Sequence, residues 1–278
     1  MSPFPARPIR RLFHGRLTLL CLVLLGAGTT SSALETRQVR IGFVGESDGD
    51  AMRGASQGLD EANAQGRFLG WHYELVPLAD GAAARDAEVA VIVADVAPAD
   101  LRTLAAAAAP TAVLNVGADD DALRAACLPN LLHTLPSAAM RADAEAQWRS
   151  KHADSPATAR AWHERFRKYA AAQLNRRYET RHEKPMSDIA WAAWAAVKLV
   201  SNTIATSGEA TPARVHELIR GDIAFDGQKG ADMSFRDTGQ LRQPLLLVDG
   251  DTIVGEAPVR GVTDPGDLDS LGLAACAR

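Results

Sequence analysis

Eight residues combine suitable chemistry with a suitable place for holding a small ligand: Glu46, Ser47, Asp48, Asp95, Asn115, Gly117, Thr134 and Ser137. Each follows closely on, or ends, a short apolar segment. Small hydroxyl, amide and carboxyl groups beside free helix starts suit a carboxylate or another anionic group. The same residue types also cap helices and close turns, so for any one of them a structural role stays open. The sequence contains no HExxH, GxSxG, P-loop or CxxC pattern. No nucleophile, base and orienting group stand out as a set. His163-Glu164 and His182-Glu183 lie on charged segments without metal-ligand spacing and read as solvated surface groups. His133, inside an apolar run, reads as a core or rim residue. Binding is therefore expected, with no catalytic residue, metal or resident cofactor.

Such a rim needs strands that end together. Residues 39–136 alternate between strand and helix signals. Strands are predicted at 39–44, 72–78, 89–94, 111–116 and 130–135, and helices at 51–64, 99–109 and 120–126. The run Val89–Ala94 is continuously apolar, as in a strand covered on both faces. Alternation of this kind implies an α/β fold with a doubly wound parallel sheet and right-handed crossovers. From Ser137 to Arg220 the signals are helical, with no convincing strand. Residues 157–180 read as a charged amphipathic helix. Ser187 can cap the next helix, where Ile189, Ala193, Ala196, Val197, Val200 and Ile204 form one stripe. Pro212 suits the first turn of another. Short strands are predicted at 231–236, 244–248 and 252–254, with turns at 237–239 and 249–251.

The N-terminus carries its own message. Arg7, Arg10, Arg11 and Arg16 precede an apolar run from Leu17 to Gly28, with Ser31 and Ala33 beyond it. This is the layout of a cleaved export signal, with a weak twin-arginine character. The expected divisions are a signal at 1–33, an α/β lobe at 34–148, a helical segment at 149–220 and a β-rich segment with a tail at 221–278. Cleavage would remove four arginines and no acidic residue, moving the net charge from −4 to −8. That charge gives no reason to expect nucleic-acid binding. Periplasmic localisation follows, without membrane insertion after cleavage. Cys127 and Cys276 would then lie in an oxidising compartment and are a candidate disulfide pair. Residues 149–184 hold ten basic and four acidic side chains, interleaved with Trp162, Phe166, Tyr169 and Tyr178. Two readings are open: a docking face for a polyanion or an acidic partner, or a solvated helix face with the aromatics turned inward.

Several stretches resemble type 1 periplasmic solute-binding proteins, the receptors for branched-chain amino acids in ABC transporters. They are the strand Val39–Val44, Ala62-Asn63-Ala64-Gln65-Gly66, His72–Val76, Asp188-Ile189-Ala190-Trp191, Phe225-Asp226-Gly227 and Met233-Ser234-Phe235-Arg236. Asn115–Ala118, Asp121–Arg124, Cys127–Ser137 and Gly239–Pro244 are similar to the branch associated with pyrroloquinoline quinone (PQQ)-dependent alcohol oxidation. The resemblance implies a non-catalytic exported binding protein for a small, anionic ligand, with PQQ itself a candidate. It implies an ABC permease or a periplasmic alcohol dehydrogenase as partner. The alternative is an interaction module for a dehydrogenase or cytochrome that binds no ligand. One departure is large. The helix after Ser137 runs almost directly into the late helices, so the second lobe is expected to be reduced to helices and short C-terminal strands.

Overall fold

The computed structural model describes residues 36–221 and 223–276; the predicted signal segment at 1–33 lies outside them. The elements follow in the order β1 Arg37–Val44, α1 Asp50–Leu69, β2 Trp71–Pro77, α2 Ala83–Asp86, β3 Val91–Ala94 and α3 Pro98–Ala108. Next come β4 Ala112–Asn115, α4 Asp121–Ala125, β5 Leu131–His133 and α5 Ala138–Arg149. The chain ends with β6 Thr158–Arg160, α6 Ala171–His182, α7 Asp188–Ser207, α8 Pro212–Arg220, β7 Leu245–Asp249 and β8 Thr252–Ala257.

The first five strands form a parallel sheet in the order β2-β1-β3-β4-β5, and β6-β7-β8 form an antiparallel sheet. Alternation along β3 shows why the first sheet is covered on both sides. Val91 and Val93 enter a core shared with α1, α7 and α8, whereas Ile92 and Ala94 enter one shared with α3 and α4. α7 exceeds its predicted stripe: Trp191, Ala192, Trp194, Ala195 and Leu199 are buried as well, so its first half is covered on all sides while its last turns reach the surface. α1 and α7 touch closely at Gly54, where a Cβ would overlap the Ala190 carbonyl oxygen. A third core joins Met140 and Ala144 of α5 to Ala159, Leu245 and Leu247 of the second sheet.

Two expectations fail in the later half. The predicted helix over 157–180 begins only at Ala171, and Thr158–Arg160 is a strand. Three residues are too few to show a period of two, and their partner β7 lies far along the chain. Between them the irregular backbone is held by Asn175, whose Nδ2 donates to the carbonyls of His163, Glu164 and Phe166 at 2.9–3.2 Å. His163 is correspondingly buried, not a solvated group, at 6% exposure. The predicted strand 231–236 is also absent. Only Phe235 pairs, with Leu241, across the turn at 237–239.

Both edges of the first sheet are covered, β5 by main-chain bonds and β2 by a side chain. The His133 N–H donates to the Gly239 carbonyl at 2.8 Å, and the Leu241 N–H to the His133 carbonyl at 2.9 Å. At β2, Asn63 Nδ2 donates to the Tyr73 carbonyl at 2.9 Å while Asn63 Oδ1 accepts the Tyr73 N–H at 2.8 Å. Cys127 and Cys276 are disulfide-bonded with 149 residues of separation, as expected from their number and compartment. Cys127→Ser is expected to cost about 2–4 kcal/mol, the usual range for a native bridge closing a long loop. Urea unfolding with and without reductant checks it. An unchanged midpoint in both would show that the bond constrains nothing.

Candidate functional site

A cleft of about 550 Å³ opens where β4 and β5 end, facing β6. Asp50, Gly117, Asp119, Arg141, Arg160 and Asp188 line it, together with Glu145 and Ser187. Helix starts meet here. Ser137 caps α5 by accepting the Met140 N–H at 3.1 Å, and Ser187 caps α7 by accepting the Ala190 N–H at 3.2 Å. The Ser187 hydroxyl also donates to Asp50 Oδ2 at 2.7 Å, at the first residue of α1. Burial alone would raise the Asp50 carboxyl, but hydrogen bonds from Ser187 and Arg53 outweigh it and hold its pKa below the ordinary value.

Asp188 organises the cations. Its Oδ2 meets Arg141 Nη1 at 3.1 Å and its Oδ1 lies 3.7 Å from Arg160 Nε, while Oδ1 also accepts the Trp162 N–H at 3.0 Å. Arg141 Nε is buried without a hydrogen-bond partner among the described residues. Glu145 Oε1 accepts the Ala159 N–H at 3.0 Å and so anchors β6 at the rim. The cleft thus offers two guanidinium groups beside Asp50, Asp119, Glu145 and Asp188. Such a lining suits a small molecule carrying both a carboxylate and a cationic group better than a polyanion.

Of the eight residues expected at the ligand, Gly117 alone lines this cleft. Asp95 lies against it, since a Cβ on Gly117 would overlap the Asp95 carboxylate. Burial, with Glu46 and Asp50 nearby, pushes the Asp95 pKa up. Glu46, Ser47 and Asp48 lie exposed on the loop after β1, outside the cleft. The other three are structural. Asn115 is consumed by its own turn: its Oδ1 accepts the Gly117 and Ala118 N–H groups, and its Nδ2 donates to the Ala118 carbonyl and lies 2.9 Å from His133 Nδ1. Thr134 donates to the Ala192 carbonyl at 3.0 Å, and Ser137 is spent as a cap.

The basic segment is largely neutralised within the chain. Arg149, Arg160, Arg165, Lys168, Arg177 and Arg181 pair with Glu145, Asp188, Asp251, Glu256, Glu61 and Asp60. Trp162, Phe166 and Tyr178 turn inward, while Tyr169 stays 56% exposed.

Sequence reasoning missed Arg141, Arg160 and Asp188 as a group. Arg141 was legible as the residue one turn after the Ser137 cap, on the same helix face. Arg160 was not, because its placement depends on β6. Arg124, Gln240 and Gln243, from the motifs similar to the PQQ-associated branch, serve the core. Arg124 is buried and its guanidinium reaches Gln240 Oε1 at 2.9 Å and the carbonyls of Ala118, Asp120 and Leu135 at 2.9–3.0 Å. Gln240 Nε2 donates to the His133 and Leu135 carbonyls at 3.2 Å, and Gln243 Nε2 to the Thr134 carbonyl at 2.7 Å. These residues fasten segment 239–243 to β5 rather than face the cleft.

No protein-family model matches the chain, and comparison with the curated proteins finds no match. Solved structures do match. A periplasmic binding protein from Burkholderia mallei superposes with a TM-score of 0.68 at 12% identity, covering 87% of this chain and 99% of that one. The branched-chain amino acid transporter substrate-binding protein LivJ from Streptococcus pneumoniae, in complex with isoleucine, gives 0.61 at 12% identity, covering 79% and 99%. The leucine-binding protein LivK from Thermotoga maritima gives 0.59 at 11% identity, covering 78% and 96%. The PQQ-associated branch gains no support from these neighbours, which carry it neither in name nor in ligand. The sheet order, its flanking helices and these superpositions together give the chain the type 1 periplasmic-binding-protein fold, with its second lobe reduced to helices and a small antiparallel sheet.

Proposed function

We propose that this protein is an exported, non-catalytic solute-binding protein of the ABC-transporter type, working in the periplasm with a permease. The observation that carries the reading is the cleft at the strand ends, where Arg141 keeps a buried Nε without a partner among the described residues, beside Asp188. Its ligand would present a carboxylate to Arg141 and Arg160 and a cationic group to Asp50 or Asp119, as an amino acid does. The structural neighbours bound to isoleucine and to leucine support that chemical class. PQQ fits this acidic lining poorly, and its link to the protein rests on sequence motifs whose Arg124, Gln240 and Gln243 serve the core.

Titration calorimetry with amino acids, small dicarboxylates and PQQ tests the proposal. One class of small carboxylate is expected to bind, and Arg141→Ala to weaken it by about tenfold or more, the loss of a charged hydrogen bond. Equal affinity in the variant would remove the cleft from the reading. One observation favours the rival role of an interaction module: Asp188 already forms ion pairs with both arginines. That role predicts no heat with any small molecule and co-purification with a periplasmic dehydrogenase or cytochrome.

A further inference from the structure

Asp188 joins three elements. It is the first residue of α7, and its carboxylate lies between Arg141 of α5 and Arg160 of β6. Its contacts are unequal. Oδ2 lies 3.1 Å from Arg141 Nη1, and Oδ1 accepts the Trp162 N–H at 3.0 Å. Arg160 Nε lies 3.7 Å from Oδ1, beyond the length of a hydrogen bond. The Arg160 side chain stays 47% exposed, whereas that of Asp188 is only 11% exposed. The carboxylate is therefore fixed, and the cation beside it is open to the cleft.

A guanidinium holds a carboxylate best through two parallel N–H groups. Arg141 leaves its Nε without a partner among the described residues, so its side-on, two-bond grip is unused. Arg160 reaches Asp188 by charge alone. The place nevertheless suits an anion. α7 is 20 residues long, Ser187 caps its start, and an acidic residue in its first turn gains from the free N–H groups there. The chain's own carboxylate thus fills the position that a ligand carboxylate would seek, without using all that the two arginines offer.

We infer that Asp188 is the specificity-determining residue of the cleft: a built-in carboxylate with which any ligand carboxylate must share Arg141 and Arg160. A second carboxylate on the ligand meets Asp188 as a like charge, whereas an ammonium meets it as an opposite one. Asp188 therefore selects zwitterions over dicarboxylates of similar size. This selectivity rests on the proposed function, since it belongs to the same cleft. Asp188→Asn isolates the charge. The amide oxygen still serves the Trp162 N–H, and the amide NH2 then replaces Oδ2 opposite Arg141, so both guanidinium groups lose their counter-ion.

The test is calorimetry with succinate and leucine on the parent, Asp188→Asn and Asp251→Asn. The last makes the same charge change on an exposed turn, where Asp251 pairs with Arg165. Asp188→Asn is expected to bind succinate about tenfold more tightly than the parent, the scale of one charge-assisted hydrogen bond. Leucine should change less, because its carboxylate gains what its ammonium loses. The succinate-to-leucine ratio therefore rises, which a merely structural role for Asp188 would not produce. Asp251→Asn should keep the parent's ratio. Asp188→Ser, which retains an acceptor at the start of α7, should move the ratio as Asp188→Asn does and covers a failure of that variant to fold. An unchanged or lower ratio in the Asp188 variants, or an equal rise in Asp251→Asn, overturns the inference while leucine binding to the parent leaves the proposed function standing. Failure of the proposed function reads differently: neither the parent nor Asp188→Asn then gives heat with any amino acid or small carboxylate, and the selectivity falls with it.

Discussion

Replacing Arg124 by alanine is expected to destabilise the protein by about 3–5 kcal/mol, the range for removing one member of a buried charged network. The guanidinium is 1% exposed and bonds Gln240 and three backbone carbonyls. Burial lowers its pKa to about 10, yet it stays charged at neutral pH. Its removal leaves the Ala118, Asp120 and Leu135 carbonyls in need of partners, and buried acceptors without partners are costly. It also frees the Gln240 side chain that holds segment 239–241 beside β5. Gln240→Ala alone should cost less, because Arg124 keeps its carbonyl partners. The double variant should cost less than the sum of the two, since both belong to one network. Chemical denaturation measures all three. A loss under 1 kcal/mol for Arg124→Ala would mean that the 239–243 segment is held by packing instead.

The second large effect is expected at Gly54. On helix propensity alone, Gly54→Ala should stabilise α1 by about 1 kcal/mol. The overlap of the new Cβ with the Ala190 carbonyl reverses that sign. A net loss of about 2–3 kcal/mol is expected as α1 and α7 are forced apart, in the range for overpacking a tight core. Gly58→Ala is the natural comparison. Its Cβ would meet the Trp194 carbonyl and Val197 at 3.0 Å, a contact that small shifts relieve. Its loss should be clearly smaller. A stabilised Gly54→Ala protein would show that the two helices have room to separate.

Both predictions bear on what the sequence alone could reveal. The parallel sheet was legible because runs such as Val89–Ala94 are apolar on both faces and helices separate them at regular intervals. The helix caps at Ser137 and Ser187 were legible because capping is a local interaction. β6 was hidden because its three residues carry no period of their own and are ordered by β7, far along the chain, where Thr158 pairs with Val248 and Arg160 with Leu246. The cleft was hidden for the same reason. Of the expected rim residues, Asn115, Thr134 and Ser137 are consumed by the backbone around them. The cations of the cleft, Arg141 and Arg160, are paired with Asp188 and take their positions from α5 and from β6. Segment 239–243 shows the converse: a motif specific enough to suggest a ligand is specific because it holds two distant parts of the core together.

The hydrogen bonds at Asn63 and at Gly239–Leu241 bear on how the protein behaves among its own copies. A strand at the margin of a sheet is a template on which a neighbouring molecule can add its own strand, the first step of ordered aggregation. At β5 that template is already occupied by the chain's own segment. At β2 the Asn63 amide takes both peptide groups of Tyr73, as a partner strand would, and Pro77 has no N–H to offer at the strand's end. The sheet thus meets its surroundings with both margins blunted, and the molecule carries within itself a barrier to edge-to-edge association in a crowded compartment.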